Sequence, residues 1–336
     1  MLTVMVNHRI DVKDPLYRHL STVVLPRAGL EVKDPDFESS HLGTCETIYL
    51  FEEKKTRVCF VGKFFGFRSQ LSDCDRRNLL NHEFKNLCLA RNMGLCSVPN
   101  RVVKPLSKTE GLNFLLVEDY VRGHDLDYYI AKAIYNGQHD RLRQKLTLLA
   151  HFFFQLHSCI TGTNQVNFGD DANYFQSIIE SLACDRLLDT KAVSELSHLC
   201  NQWEKTDEMW SAKTALVHGD TTPTNFIFHP DDGVTAIDLE RMHLGDSMYD
   251  IGMLAAELKH HFAYRILKAD AAEPFITHFL KTYCAQFSDP ETVFNQANLR
   301  NRFYMALGEI RIARNPWLPL KHRTWLTEEA RRCLRQ

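Results

Sequence analysis

A chain of 336 residues, 44% hydrophobic and 24% charged, is long enough for one large or two modest domains with a sizeable core. A formal net charge of −2 excludes the basic balance of a dedicated nucleic-acid binder, so no nucleic-acid partner is expected. No run reaches the roughly 18 apolar residues of a membrane helix, Met1–Arg9 lacks the basic-then-apolar pattern of a secretory signal, and ten cysteines without a Cys-x-x-Cys exclude a zinc ribbon or a redox pair. Reduced thiols in a cytoplasm are the expectation.

In chain order, residues 1–35 form an N-terminal extension of unassigned structure, with candidate strands at Arg9–Val12 and Leu30–Lys33. Residues 36–65 are expected to be antiparallel strands, at Thr47–Phe51 and Arg57–Phe65, joined by a charged turn. The preceding loop, Ser39–Cys45, holds a single glycine, Gly43, whose surroundings offer backbone N–H groups and hydroxyls to an anion. Lys63 interrupts an otherwise apolar strand. A buried lysine is costly unless paired, and a phosphate with a carboxylate would pair it; the plainer reading is a strand-edge lysine facing solvent. Asp73 or Asp75 caps a helix over residues 73–93, whose apolar face carries Leu79, Leu80, Phe84, Leu87 and Leu89, and Gly94 stops it. Strands follow at Arg101–Val103 and Asn113–Val121.

The remaining chain is expected to be mostly helical. Leu146, Leu149, Ala150, Phe153 and Leu156 recur at helical spacing, and Phe152–Phe154 belongs to the core. A polar segment, Asn164–Asp171, leads to helices at Tyr174–Cys184 and Ala192–Trp210. Asp170, Asp171, Asn173 and Tyr174 are candidates for a pocket wall, although a solvated loop is the plainer expectation. Further helices are expected at Tyr249–Ile266, Glu273–Phe287 and Asn298–Ala313. Arg302, Arg311 and Arg314 lie along the last of these; they could meet an acidic ligand, but a solvated helix face is favoured.

The chemistry concentrates in Leu216–Phe228 and Ala236–Glu240. An apolar strand runs into a loop bearing His218, Asp220 and Asn225. Phe226–Phe228 then turns through His229-Pro230-Asp231-Asp232-Gly233, and the chain returns to end on Asp238. A hairpin brings Asn225 and Asp238 to one end. Hard oxygens of this kind suit Mg²⁺ held partly by substrate phosphates, and phosphoryl transfer asks for little beyond a placed nucleophile, a metal and charge stabilisation. The residues therefore point to ATP-dependent phosphorylation of a hydroxyl.

His218-Gly219-Asp220-x-x-x-x-Asn225, followed by Ile237-Asp238-Leu239-Glu240 and Gly245-Asp246-x-x-x-Asp250, resembles the aminoglycoside phosphotransferase and choline kinase family, over about residues 36–260. The resemblance implies an α+β, two-lobed, protein-kinase-like fold: a small antiparallel-sheet, nucleotide-binding lobe at 36–121 and a larger, mostly helical, acceptor-binding lobe at 122–336. It implies Asp220 as catalytic base and Asn225 and Asp238 as Mg²⁺ ligands. Lys63 would contact the ATP phosphates, braced by Glu83, with Gly43 in the phosphate loop. Glu118 and Tyr120 would present backbone groups to adenine. His157 and Asp250 are expected to be structural hydrogen-bonding residues, and Asp246 a cap or brace. The partner implied is a small-molecule hydroxyl acceptor: an amino sugar, a sugar or a choline-like metabolite. A nucleotide-binding regulatory module without useful catalysis, and a kinase acting on protein or lipopolysaccharide, stand as alternatives.

Overall fold

A computed structural model describes residues 8–42, 47–68, 70–230 and 233–335. The chain forms two compact units, one of residues 1–97, 101–122 and 235–240, the other of residues 98–100, 123–234 and 241–336.

The first unit is built on a six-stranded antiparallel sheet. Its strands are β1 (His8–Arg9), β2 (Phe37–His41), β3 (Ile48–Glu53), β4 (Val58–Phe64), and, with β5 (Asn100–Val102) falling between them in sequence, β6 (Pro105–Thr109) and β7 (Leu115–Asp119). The spatial order is β1-β2-β3-β4-β7-β6. One face buries Phe37, Phe51, Phe60, Leu115 and Val117 with Leu20 and Val24 from the N-terminal region. Residues 30–33, expected as a strand, form none. The N-terminal region is instead helical, with α1 (Pro15–His19), a π-helical turn and α2 (Leu25–Arg27). Its start is encoded by Asp14, whose side chain accepts from the Leu16 N–H, and by Pro15 at the first helical position. Strand β6 was not expected because Pro105, Ser107 and Lys108 blur its alternation, as suits an edge strand. Helix α3 (Asp73–Asn92) is capped by Ser72 in a capping box with Asp75, rather than by Asp73 or Asp75 themselves.

The second unit is mostly helical. It holds β8 (His124–Asp125), α4 (Leu126–Asn136), α5 (His139–Cys159), β9 (Thr161–Gln165), α6 (Phe168–Cys184), α7 (Thr190–Trp203), β10 (Lys213–Val217) and β11 (Phe226–Phe228). Strand β12 (Val234–Ala236) carries the chain into the first unit, and the second unit resumes with β13 (His243–Gly245), α8 (Ser247–Ile266), α9 (Glu273–Cys284), α10 (Pro290–Ala313) and α11 (Leu320–Leu334). Several expected helix limits move: α9 ends at Cys284 and α10 begins at Pro290. Helix α6 begins at Phe168, so Asp170 and Asp171 sit in its first turn rather than in a loop, and α7 ends at Trp203. A small antiparallel sheet in the order β13-β10-β9 presents the end of β10. Behind it Phe153 packs on Phe226, Phe152 and Phe279, with ring centroids 5.3–6.1 Å apart. No helix among the described residues is long and apolar enough to cross a membrane.

Helices α8 and α10 approach closely because two glycines lie where they meet. A Cβ on Gly252 would stand 2.3 Å from the Tyr304 Cβ, and one on Gly308 2.6 Å from the Ala256 Cβ. Gly252→Ala is expected to destabilise by about 1–3 kcal/mol through overpacking, despite the roughly 1 kcal/mol gain in helix propensity. Urea unfolding checks this: the midpoint falls while the slope is unchanged.

Candidate active site

In the first unit, strand β4 delivers Lys63 into a group of carboxylates. Its Nζ lies 2.5 Å from Glu83 Oε1, 3.6 Å from Glu118 Oε1 and 3.8 Å from Asp238 Oδ1. Glu83 comes from α3. Glu118 arrives through register: β4 pairs Lys63 with Leu116 and Val61 with Glu118, so its side chain reaches Lys63 diagonally across one sheet face. Expected to act through its backbone, Glu118 thus also commits its carboxylate. Burial alone would lower the Lys63 pKa, but Glu118, Glu83 and Asp238 together raise it well above the ordinary value, so the ammonium stays charged. Burial pushes the Glu83 and Glu118 carboxyls up against the pull of Lys63, and the neighbouring carboxylates add to the rise. The Tyr120 N–H donates to the Cys59 carbonyl at 3.3 Å and its ring is partly exposed. Gly43 lies outside the described residues.

Asp238 adopts a left-handed backbone, φ 62°, a conformation that costs a non-glycine residue about 1–3 kcal/mol and that recurs at functional sites. The chain is held there by Asn86, whose Nδ2 donates to the Leu239 carbonyl at 2.8 Å. Carboxylate oxygens of Glu83, Asp238 and Glu240 lie within 4.8 Å of one another. Glu240 also pairs with Arg68 at 3.2 Å. This is a set of hard oxygens, the donor chemistry that Mg²⁺ takes.

In the second unit, β10 ends at Val217 and the backbone turns through His218 and Gly219. The anchor is Asp250, wholly buried at the start of α8. Its Oδ2 accepts the His218 N–H at 2.7 Å and its Oδ1 the Gly219 N–H at 3.0 Å. His157 Nε2 also meets Oδ2, at 3.1 Å, while Nδ1 meets the Tyr283 hydroxyl at 2.9 Å. Burial pushes the Asp250 carboxyl up, yet the hydrogen bond from His157, the nearby histidines and the Gly219 N–H hold it below the ordinary value, so it is ionised. Asp246 caps α8 through the Met248 N–H and accepts from Arg300 Nη1 at 2.6 Å. Gly219 sits at φ 78°, and a Cβ there would stand 2.2 Å from the Arg241 carbonyl oxygen.

Two arginines frame Asp220. Arg311 Nη2 donates to Oδ1 at 2.6 Å, and Arg241 Nε lies 3.6 Å from Oδ2. Asn225 donates from Nδ2 to the Asp220 carbonyl at 3.0 Å, which leaves its side-chain oxygen as the atom a metal would take. Arg311, expected on a solvated helix face, is instead mostly covered. Helix α10 lies along α8 and brings Arg311 to Asp220, and Arg314 reaches the Tyr174 hydroxyl at 3.3 Å. The spacing of these arginines was visible in sequence; which way the helix turned them was not. Glu257 on α8 was not singled out. Burial lifts its carboxyl to about 8, opposed by Arg311 and reinforced by Asp220.

A cavity of about 290 Å³ lies beside this loop, lined by Asp170, Asp171, Tyr174, Arg241, His243 and Tyr249 among others. Asp170, Asp171 and Tyr174 therefore line a pocket rather than a solvated loop; Asn173 is exposed and points elsewhere. Asp171 Oδ2 accepts the Tyr304 hydroxyl at 2.8 Å, and burial raises its carboxyl to about 6.

Comparison with known proteins gives a family and a fold. The model of a family described as the phosphotransferase enzyme family matches residues 81–292. No curated protein matches the sequence. Among solved structures, the chain is similar to an ethanolamine kinase of Plasmodium vivax (TM-score 0.59, 14% identity, 88% of this chain and 81% of that one). It is similar to the choline kinase LicA of Streptococcus pneumoniae (TM-score 0.56, 16% identity, 95% and 97%). A streptomycin–ATP–APH(2'')-IIa ternary complex gives TM-score 0.55 at 15% identity, covering 95% and 97%. At such identities the likeness shows the fold, which is the α+β, protein-kinase-like one.

Asp250→Ala is expected to lower stability by about 3–5 kcal/mol, because it leaves two buried N–H groups and His157 without their partner; chemical denaturation reads this directly. Glu257 makes stability depend on pH. Its folded pKa is raised, so the folded state binds the proton more tightly than the unfolded state does. The contribution is fully present below the ordinary glutamate value and is lost as pH rises toward about 8. Relative to Glu257→Gln, the wild type is expected to lose a few kcal/mol at most between pH 5 and pH 8, bounded by about 1.4 kcal/mol per pH unit. Thermal melts of both proteins across that range check it.

Proposed function

The chain belongs to the phosphotransferase enzyme family, and we propose that it moves the γ-phosphate of ATP, with Mg²⁺, to a hydroxyl of a small molecule. The observation that carries this reading is the Lys63 ammonium, held charged in a buried setting by Glu83 at 2.5 Å. A cation fixed and desolvated in this way is a phosphate anchor. Residues 36–121 would serve the nucleotide and residues 122–336 the acceptor. The solved structures resembling this chain are described as kinases of choline or ethanolamine and as complexes with ATP, ADP, GDP or AMP, which supports a nucleotide and a small acceptor. The nine described cysteines are all free, in keeping with a cytoplasmic setting.

Each side chain then has a task. Asp220 is the base. Arg311 fixes Oδ1, so Oδ2 is the oxygen that accepts the proton of the acceptor hydroxyl. Asp250 holds the His218 and Gly219 N–H groups and so keeps the Asp220 backbone in place. Lys63 meets the nucleotide phosphates, with Glu83 and Glu118 keeping it extended. Asn225 and Asp238 would hold Mg²⁺, which when bound neutralises phosphate charge. The ordered pairing of Asp220 with Arg311 and Arg241 speaks against a regulatory module without catalysis, for which a held base has no use.

The test is Mg²⁺-dependent ATP turnover across amino sugars, sugars and choline-like amines. Asp220→Asn is expected to lower kcat by about 10²–10⁴-fold, and Lys63→Ala to raise the KM for ATP with little change in acceptor affinity. Turnover that survives Asp220→Asn, or a protein that binds no nucleotide, would sink this reading.

A further inference from the structure

We propose that the acceptor bears a carboxylate close to its reacting hydroxyl, and that Arg241 is the specificity-determining residue that recognises it. This rests on Asp220 being the base, and it names the substrate class of that same site.

The inference starts from an inequality between the two arginines beside Asp220. Arg311 is mostly covered and donates to Oδ1 at 2.6 Å, so its charge is committed. Arg241 is about half exposed, and its Nε stands 3.6 Å from Oδ2, beyond a good hydrogen bond. Among the described residues its guanidinium has no closer acceptor. Its backbone, by contrast, is pinned. The Arg241 carbonyl oxygen faces Gly219 so closely that a Cβ there would stand 2.2 Å away. The same oxygen lies 2.9 Å from His243 Nδ1, and His243 pairs with Val217 in the strand that delivers the loop. The sequence thus places a loosely paired guanidinium at a fixed point on the wall of a cavity that Gly219, the residue before the proposed base, also lines.

The cavity, about 290 Å³, sits at the small end for ligand sites, which favours a compact metabolite over a multi-ring acceptor. An acceptor whose hydroxyl reaches Asp220 Oδ2 must lie beside Arg241. An ammonium one or two carbons from that hydroxyl meets a like charge there. A carboxylate in its place meets a planar fork that can donate to both oxygens. Of the two carboxylates on the wall, Asp171 is engaged by the Tyr304 hydroxyl, and Asp170 is the one that opposes this preference.

The experiment uses matched probes that differ by a carboxylate: ethanolamine and serine, 3-amino-1-propanol and homoserine, glycerol and glycerate. Binding of each is measured by calorimetry on the full chain with Mg²⁺ and a non-hydrolysable ATP analogue, and turnover is measured with ATP. The carboxylate member of at least one pair is expected to bind 10-fold or more tighter. Arg241→Gln should remove that advantage, Arg241→Lys should keep part of it, and the change should appear in acceptor KM rather than kcat. Equal binding within every pair, preference for the amino alcohols, or no binding by any carboxylate probe overturns the proposal. So does an equal fall in kcat on every acceptor in Arg241→Gln, which would make Arg241 a partner of the transferred phosphoryl group. Turnover of amino alcohols alone defeats this inference and leaves the kinase reading standing. Arg241-dependent carboxylate binding without phosphate transfer to any acceptor does the reverse.

Discussion

A single buried carboxylate organises the second unit. Asp250 has no solvent exposure, and an isolated ion there would be prohibitively costly. It survives as an anion because two consecutive backbone N–H groups and His157 converge on it. In return it fixes His218 and Gly219, the residues immediately before Asp220. The arrangement extends outward through Tyr283 to α9, so a helix far along the sequence contributes to the orientation of the loop. A loop whose backbone is held by a buried charge loses little orientation to thermal motion, which is what the proposed proton transfer to Asp220 would demand.

The first unit poses the converse problem: one ammonium among several carboxylates. Lys63 is paired most closely with Glu83, while Glu118 and Asp238 stand farther off. Three full negative charges around one positive charge are not stable in a desolvated setting, and burial answers by raising Glu83 and Glu118. The excess of negative charge makes chemical sense if a divalent cation is part of the working state. The left-handed backbone at Asp238 fits the same logic, because strain retained at one aspartate aims its carboxylate at the cluster.

Around Asp220 the balance shifts toward positive charge. Arg311 and Arg241 lie on its two oxygens, and Glu257 is held toward its neutral form. Each unit thus has its own chemistry: carboxylates with one lysine in the first, a carboxylate with two arginines in the second.

Much of this was legible in the sequence. The spacing from His218 to Asn225, the turn at His229–Gly233 and the return to Asp238 pointed to the family and its fold, because short-range turn and strand signals fix local geometry. The helix carrying Glu83 and the strand carrying Lys63 were equally plain from periodicity, and the fold class followed from the motifs. The sequence misplaced what depends on partners distant in the chain. The N-terminal helix was obscured by brevity, although Asp14-Pro15 marked its start. Glu118 was expected to matter through its backbone alone, since only the register of β4 with β7 turns its side chain toward Lys63. Arg311 looked solvated because periodicity along α10 cannot say which stripe faces α8; the glycines at 252 and 308 decide that by letting the helices close. The sequence by itself determined which groups are present and in what local order. Only the tertiary structure decided which charges meet, because ion pairing depends on distances of a few ångströms between segments far apart in the chain, 91 residues for Asp220 and Arg311 and 172 for Arg68 and Glu240.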